Sequence, residues 1–159
     1  MNKRILAIII TLGGLIWGGI PALAQQSVVV GELELSGAFT RATPPNAKTG
    51  GGFVTITNNG EMDDQLVSVS SPAAAVVELH TMKMENEVMV MRSSPDGFAV
   101  PAGEVTELSP GGKHIMFMQI TEPFRMGNLV PVTLVFERAG SVDLMLPVAP
   151  IGAKSYVPE

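Results

Sequence analysis

Val76-Val77-Glu78-Leu79-His80-Thr81-Met82-Lys83-Met84-Glu85, then Asn86-Glu87, then Val88-Met89-Val90-Met91-Arg92, reads as two strands joined by a two-residue turn. Successive residues of an extended strand point to opposite faces, so His80, Met82 and Met84 share one side. With Asn86-Glu87 as the loop, Glu85 opposes Val88, Met84 opposes Met89 and Met82 opposes Met91. All four methionines then lie on the His80 face. His80 sits diagonally from Met91, within the roughly 7–8 Å over which long side chains still meet across a sheet. Downstream, His114-Ile115-Met116-Phe117-Met118 repeats the pattern. His114, Met116 and Met118 face one way, and Ile115 and Phe117 the other.

Outward from this hairpin the chain is strands and turns almost throughout. Residues 28–35, 52–57, 65–70, 76–84, 88–92, 105–108, 114–120, 130–137 and 141–148 are short and rich in β-branched residues, and many alternate. Turn chemistry separates them, as in Asn58-Asn59-Gly60, Ser94-Pro95-Asp96-Gly97 and Ser109-Pro110-Gly111-Gly112. No helical stripe of useful length appears. Eight or nine strands at this spacing predict an all-β fold, an antiparallel Greek-key β-sandwich, with a closed barrel as the alternative.

The first 24 residues read as a secretory signal: Lys3 and Arg4 open it, an apolar run follows, and Ala22-Leu23-Ala24 offers a small-x-small cleavage site. No cysteine lies near that point to carry a lipid. An uncleaved anchor is disfavoured because Gly13, Gly14, Gly18 and Gly19 interrupt a run already short for a hydrocarbon core of about 30 Å. The expectation is a periplasmic, monomeric product, residues 25–159, forming a single domain with no stable membrane insertion. Setting aside Lys3 and Arg4 leaves 8 basic against 15 acidic residues, a net charge of about −7 with the histidines neutral. That charge disfavours nucleic acid as a partner.

The chain has no cysteine and only two histidines, and six of its ten methionines fall between positions 82 and 118. Thioether and imidazole are the donors that select Cu(I), whereas zinc sites recruit thiolate or carboxylate and calcium sites need oxygen. Methionine is often a flexible core filler. Leu, Val and Ile are plentiful elsewhere, however, so a core in need of volume had no reason to gather methionine around both histidines. A blue-copper electron carrier would need a cysteine thiolate, which is missing. A hydrolase would need a nucleophile or carboxylate tied by motif to a histidine, and neither histidine has one. No enzyme activity is expected. The rival class is a secreted β-sandwich interaction module without metal, in which the methionines are core.

His80, Met91 eleven residues later, and His114-Ile115-Met116 further on resemble the signature of the periplasmic PCu(A)C copper chaperones. The flanks agree: Arg41-Ala42-Thr43-Pro44-Pro45, Thr49-Gly50, Thr57-Asn58-Asn59-Gly60, Ser70-Ser71-Pro72-Ala73, Val77-Glu78-Leu79-His80 and Pro110-Gly111-Gly112. The resemblance implies a cupredoxin-like β-sandwich that binds one Cu(I) through two His and two Met. Its ligands would be His80, Met91, His114 and Met116. It further implies delivery to a copper-accepting protein, such as a cytochrome oxidase copper subunit or its assembly factor. Met82, Met84, Met89 and Met118 are left as a sulfur surround. Many relatives of that family carry a further site on a His- and Met-rich tail, and because residues 152–159 contain neither residue type that site is not expected here.

Overall fold

The computed structural model describes residues 27–157, so the signal expected in residues 1–24 lies outside them. The described chain forms eleven strands: β1 (Val28–Val30), β2 (Leu33–Arg41), β3 (Thr49–Asn58), β4 (Asp64–Ser70), β5 (Ala74–Glu85), β6 (Val88–Ser93), β7 (Phe98–Val100), β8 (Val105–Leu108), β9 (Lys113–Ile120), β10 (Leu129–Phe136) and β11 (Gly140–Ala149). Neighbours follow the order β6-β5-β9-β8-β3-β2-β11-β10-β4-β7, with β1 on β2 and a further β9–β3 pairing. β11 belongs to both ladders. It pairs along its length with β10, and its last residues, Val148 and Ala149, run parallel to Thr40 and Arg41 of β2.

The two ladders share one core because their inward residues recur with period two. Leu35 of β2, Ile56 of β3, Leu66 of β4, Phe117 of β9, Leu134 of β10 and Leu146 of β11 are all buried in the same cluster. The all-β sandwich expected from the sequence is therefore the observed architecture. Three details differ. The expected strand 28–35 is two strands, turned at Gly31-Glu32 where Gly31 has φ +58°. β7 was not expected, because three residues just after the Asp96-Gly97 turn look like loop. The sheet is also not purely antiparallel, since β11 meets β2 in parallel and Leu108 of β8 bridges Lys113 of β9 in parallel. Strands as remote in sequence as β2 and β11 have no short turn to fix their relative direction.

The hairpin register matches the sequence reading. Met84 pairs Met89, Met82 pairs Met91, and the chain reverses through Asn86 and Glu87. Both loop residues take positive φ, 49° and 67°, as a two-residue turn that follows the twist of its strands requires. A β-carbon at Glu87 makes that backbone strained. Glu87→Gly is therefore expected to stabilise the protein by about 0.5–1 kcal/mol, the relief of left-handed strain less the entropy that glycine adds to the unfolded chain. Thermal unfolding of the two proteins side by side checks this.

Candidate metal centre

β5 lies between β6 and β9, and this order brings the two histidines together. His80 of β5 pairs directly with His114 of β9, a partnership of residues 34 positions apart. Their rings pack edge to face with centroids 5.9 Å apart. Leu79, Ile115 and Phe117 alternate with them and point into the core. The histidines therefore occupy the outward face of the sheet. His114 is nonetheless buried there, 6% exposed.

A cleft of about 380 Å³ opens beside His114. Met82, Met91 and Met116 line it, along with Pro110, Gly111 and residues 41–44 of the segment that follows β2. Three of the four expected ligands thus share one cavity, and His80 adjoins it through its contact with His114. Met116 lies opposite Gly51 of β3. A β-carbon at Gly51 would come within 3.2 Å of the Phe53 ring, so glycine keeps that wall thin beside the thioether. Phe53 packs with Phe39 and Ala149 under Ala153 and Tyr156. The Arg41 guanidinium stands 5.3 Å from the Phe53 ring centre, and its Nε donates to the Ala153 carbonyl. Met84 and Met89 are further out on the hairpin. Met118 lies two residues beyond Met116, opposite Val76 and Thr49.

Hydrogen bonds fix which nitrogen of each histidine is free. His114 Nδ1 donates to the Gly112 carbonyl at 3.0 Å, which leaves Nε2 with its lone pair. His80 Nε2 lies 2.9 Å from Glu78 Oε2. An ionised carboxylate only accepts, so Nε2 carries the proton and Nδ1 the lone pair. Among the described residues, His80 Nδ1 is the buried side-chain polar atom without a hydrogen-bond partner. A buried acceptor left unpaired costs roughly 1–3 kcal/mol, and a site for a metal ion is one physical reason to retain it.

The surrounding charges support the same assignment. Hydrogen bonding to His80, and secondarily to Ser93 of β6, holds the Glu78 carboxyl below its usual range. Burial pushes the His114 pKa down from its ordinary 6.5, helped by His80, while the bond to Gly112 opposes the shift. His114 therefore remains neutral, with a lone pair available, to lower pH than an exposed imidazole. A carboxylate or carbonyl behind each ring is how metal-binding histidines are normally oriented. In the sequence Glu78 stands out only as part of the Val77-Glu78-Leu79-His80 flank. Its signal was present, since a glutamate two residues before a histidine on a strand shares that histidine's face.

A sequence model of the LpqE-like family, described as "Putative lipoprotein LpqE-like", matches residues 33–148. The chain belongs to the LpqE-like family. A relative from Leifsonia xyli subsp. xyli (strain CTCB07), "Putative lipoprotein Lxx21020", is 33% identical over 96 residues, covering 60% of this LpqE-like chain and 58% of the relative. The copper-bound PCuAC domain of PmoF2 superposes with a TM-score of 0.67 at 22% identity, over 79% of this chain and 98% of that domain. The solution structure of Cu(I)-DR1885 from Deinococcus radiodurans superposes with a TM-score of 0.58 at 25% identity, over 77% of this chain and 80% of that one. The LpqE-like chain thus has the PCuAC fold, the cupredoxin-like β-sandwich that the resemblance implied.

Proposed function

We propose that this protein is a copper carrier of the cell envelope, exported to the periplasm, that holds one Cu(I) as cargo and passes it to another copper protein. The observation that carries the proposal is the buried, unpartnered Nδ1 of His80, set against a second histidine at the edge of a methionine-lined cleft. His80 would bind through Nδ1 and His114 through Nε2, with Met91 and Met116 completing the set. Those donors suit Cu(I) and no hard cation. The copper-bound forms of PmoF2 and DR1885, which share the fold, support the reading.

Thioethers are neutral and weaker donors than thiolates, so they hold Cu(I) without trapping it and bind without releasing a proton. The site is shielded from the core and open at the cleft, where a partner's ligands can replace its own one at a time. The recipient we propose is a cytochrome oxidase copper subunit or its assembly factor, met by a monomer of residues 25–159. We place the mature chain in the periplasm, in keeping with an envelope family described as lipoproteins.

The test is a competitive Cu(I) titration of residues 25–159 against a colorimetric chelator, beside a His80→Ala, His114→Ala variant. One equivalent bound, and lost in the variant, is the expected result. No binding, or binding that the variant leaves intact, would return the protein to the class of interaction modules without metal.

A further inference from the structure

The β5–β6 hairpin carries more thioether than a two-His, two-Met site uses. Met84 and Met89 pair directly across it, one rung beyond Met82 and Met91 and on the same face. With a two-residue loop, Glu85 and Val88 form the hydrogen-bonded pair that closes the turn. The next same-face rungs are then non-hydrogen-bonded pairs, whose Cα atoms stand only about 4.5 Å apart. Two methionine side chains rooted that close can bring both sulfurs to one small ion.

Burial does not account for these residues. Met84 is 63% exposed and Met89 44%, so neither fills a core. The hairpin does not depend on them for its pairing either. On its opposite face Arg92 grips Glu85 through two hydrogen bonds of 2.9 and 2.7 Å. What remains is a run of soft donors, exposed at the hairpin tip and half-buried at Met82, that leads past Met91 to the cleft that His114 and Met116 line.

We propose that Met84 and Met89 form a second, weaker Cu(I) site, through which the metal reaches and leaves the cleft. The inference rests on the cleft being a Cu(I) site. Two neutral thioethers bind less tightly than two thioethers with two imidazoles, so copper runs inward when the cleft is empty. It runs outward when a partner docked at the tip offers better ligands. Copper stays Cu(I) throughout: at each step one copper–thioether bond breaks as another copper–donor bond forms, and no electron or proton moves.

Residues 25–159 labelled with ¹³C at the methionine ε-methyl groups provide the test, titrated anaerobically with Cu(I). The first equivalent should shift the Met91 and Met116 methyls, and copper beyond one equivalent those of Met84 and Met89. The Met84→Leu, Met89→Leu variant should hold its first equivalent at wild-type affinity, which also shows that it is folded. Its second equivalent should weaken at least about tenfold, the lower end of what losing even an outer-shell partner costs a metal site. Its loading from a Cu(I)–chelator complex should slow. Unshifted Met84 and Met89 methyls under excess Cu(I), or loading at the wild-type rate in the variant, would overturn the second site. Shifts at Met84 and Met89 with none at Met91 and Met116 would instead overturn the reading of the cleft and leave the hairpin as the metal site.

Discussion

Met91→Leu is expected to lower Cu(I) affinity by about 100-fold, the upper end of what an outer-shell loss costs and a modest figure for a direct ligand, while leaving the fold intact. Leucine nearly matches methionine in volume, and such exchanges cost under about 1.5 kcal/mol even in cores. Met91 is 45% exposed, so the structural cost there is smaller still. The exchange removes the sulfur and little else. Its pairing with Met82 and the Arg92–Glu85 clasp one position away remain. Chelator competition reads the affinity, and thermal unfolding of the metal-free protein reads the fold. Affinity equal to wild type would transfer the ligand role to Met82, which lines the same cleft.

Gly97→Ala is expected to unfold the protein or cost it at least about 4 kcal/mol, at the far end of single-substitution effects. Gly97 ends the turn between β6 and β7, where its amide donates to the Ser94 carbonyl, and its φ is +76°. A β-carbon there would lie 1.9 Å from the Leu66 carbonyl oxygen and 3.2 Å from the Val67 Cα. Both contacts are with backbone, so no side-chain rotation relieves them. β7 would have to leave β4, exposing Phe98 and Val100, which are buried at the end of the sheet. Small domains are stable by only about 5–15 kcal/mol in total. The urea midpoint of the variant, or its absence from the soluble fraction, checks this expectation.

The parts of this molecule legible in its sequence are the local ones. The hairpin register follows from a two-residue loop and strict alternation, and it is observed residue for residue from Glu85 with Val88 to Met82 with Met91. The core assignment of Ile115 and Phe117 follows from the same alternation. The pairing of His80 with His114 was not legible, because nothing between residues 92 and 113 states that β9 runs beside β5 rather than elsewhere in the sheet. β7 was hidden because a three-residue strand after a Pro-Asp-Gly turn carries no periodicity. β1 and β2 merged into one stretch because Gly31 is a weak turn signal when valines precede it and leucines follow. The contribution of Glu78 needed coordinates, since a carboxylate two residues away could as readily have turned to water.

β9 shows how this arrangement can change over time. Its odd-numbered Ile115 and Phe117 knit the sandwich together, and its even-numbered His114 and Met116 face the cleft side. If the cleft holds metal as proposed, selection can rewrite what the molecule carries one letter at a time, exchanging a thioether for an imidazole or a carboxylate, while Ile115 and Phe117 keep their places in the interior. On the proposed reading, cargo preference and scaffold integrity are separately heritable traits, written on alternate positions of the same few strands.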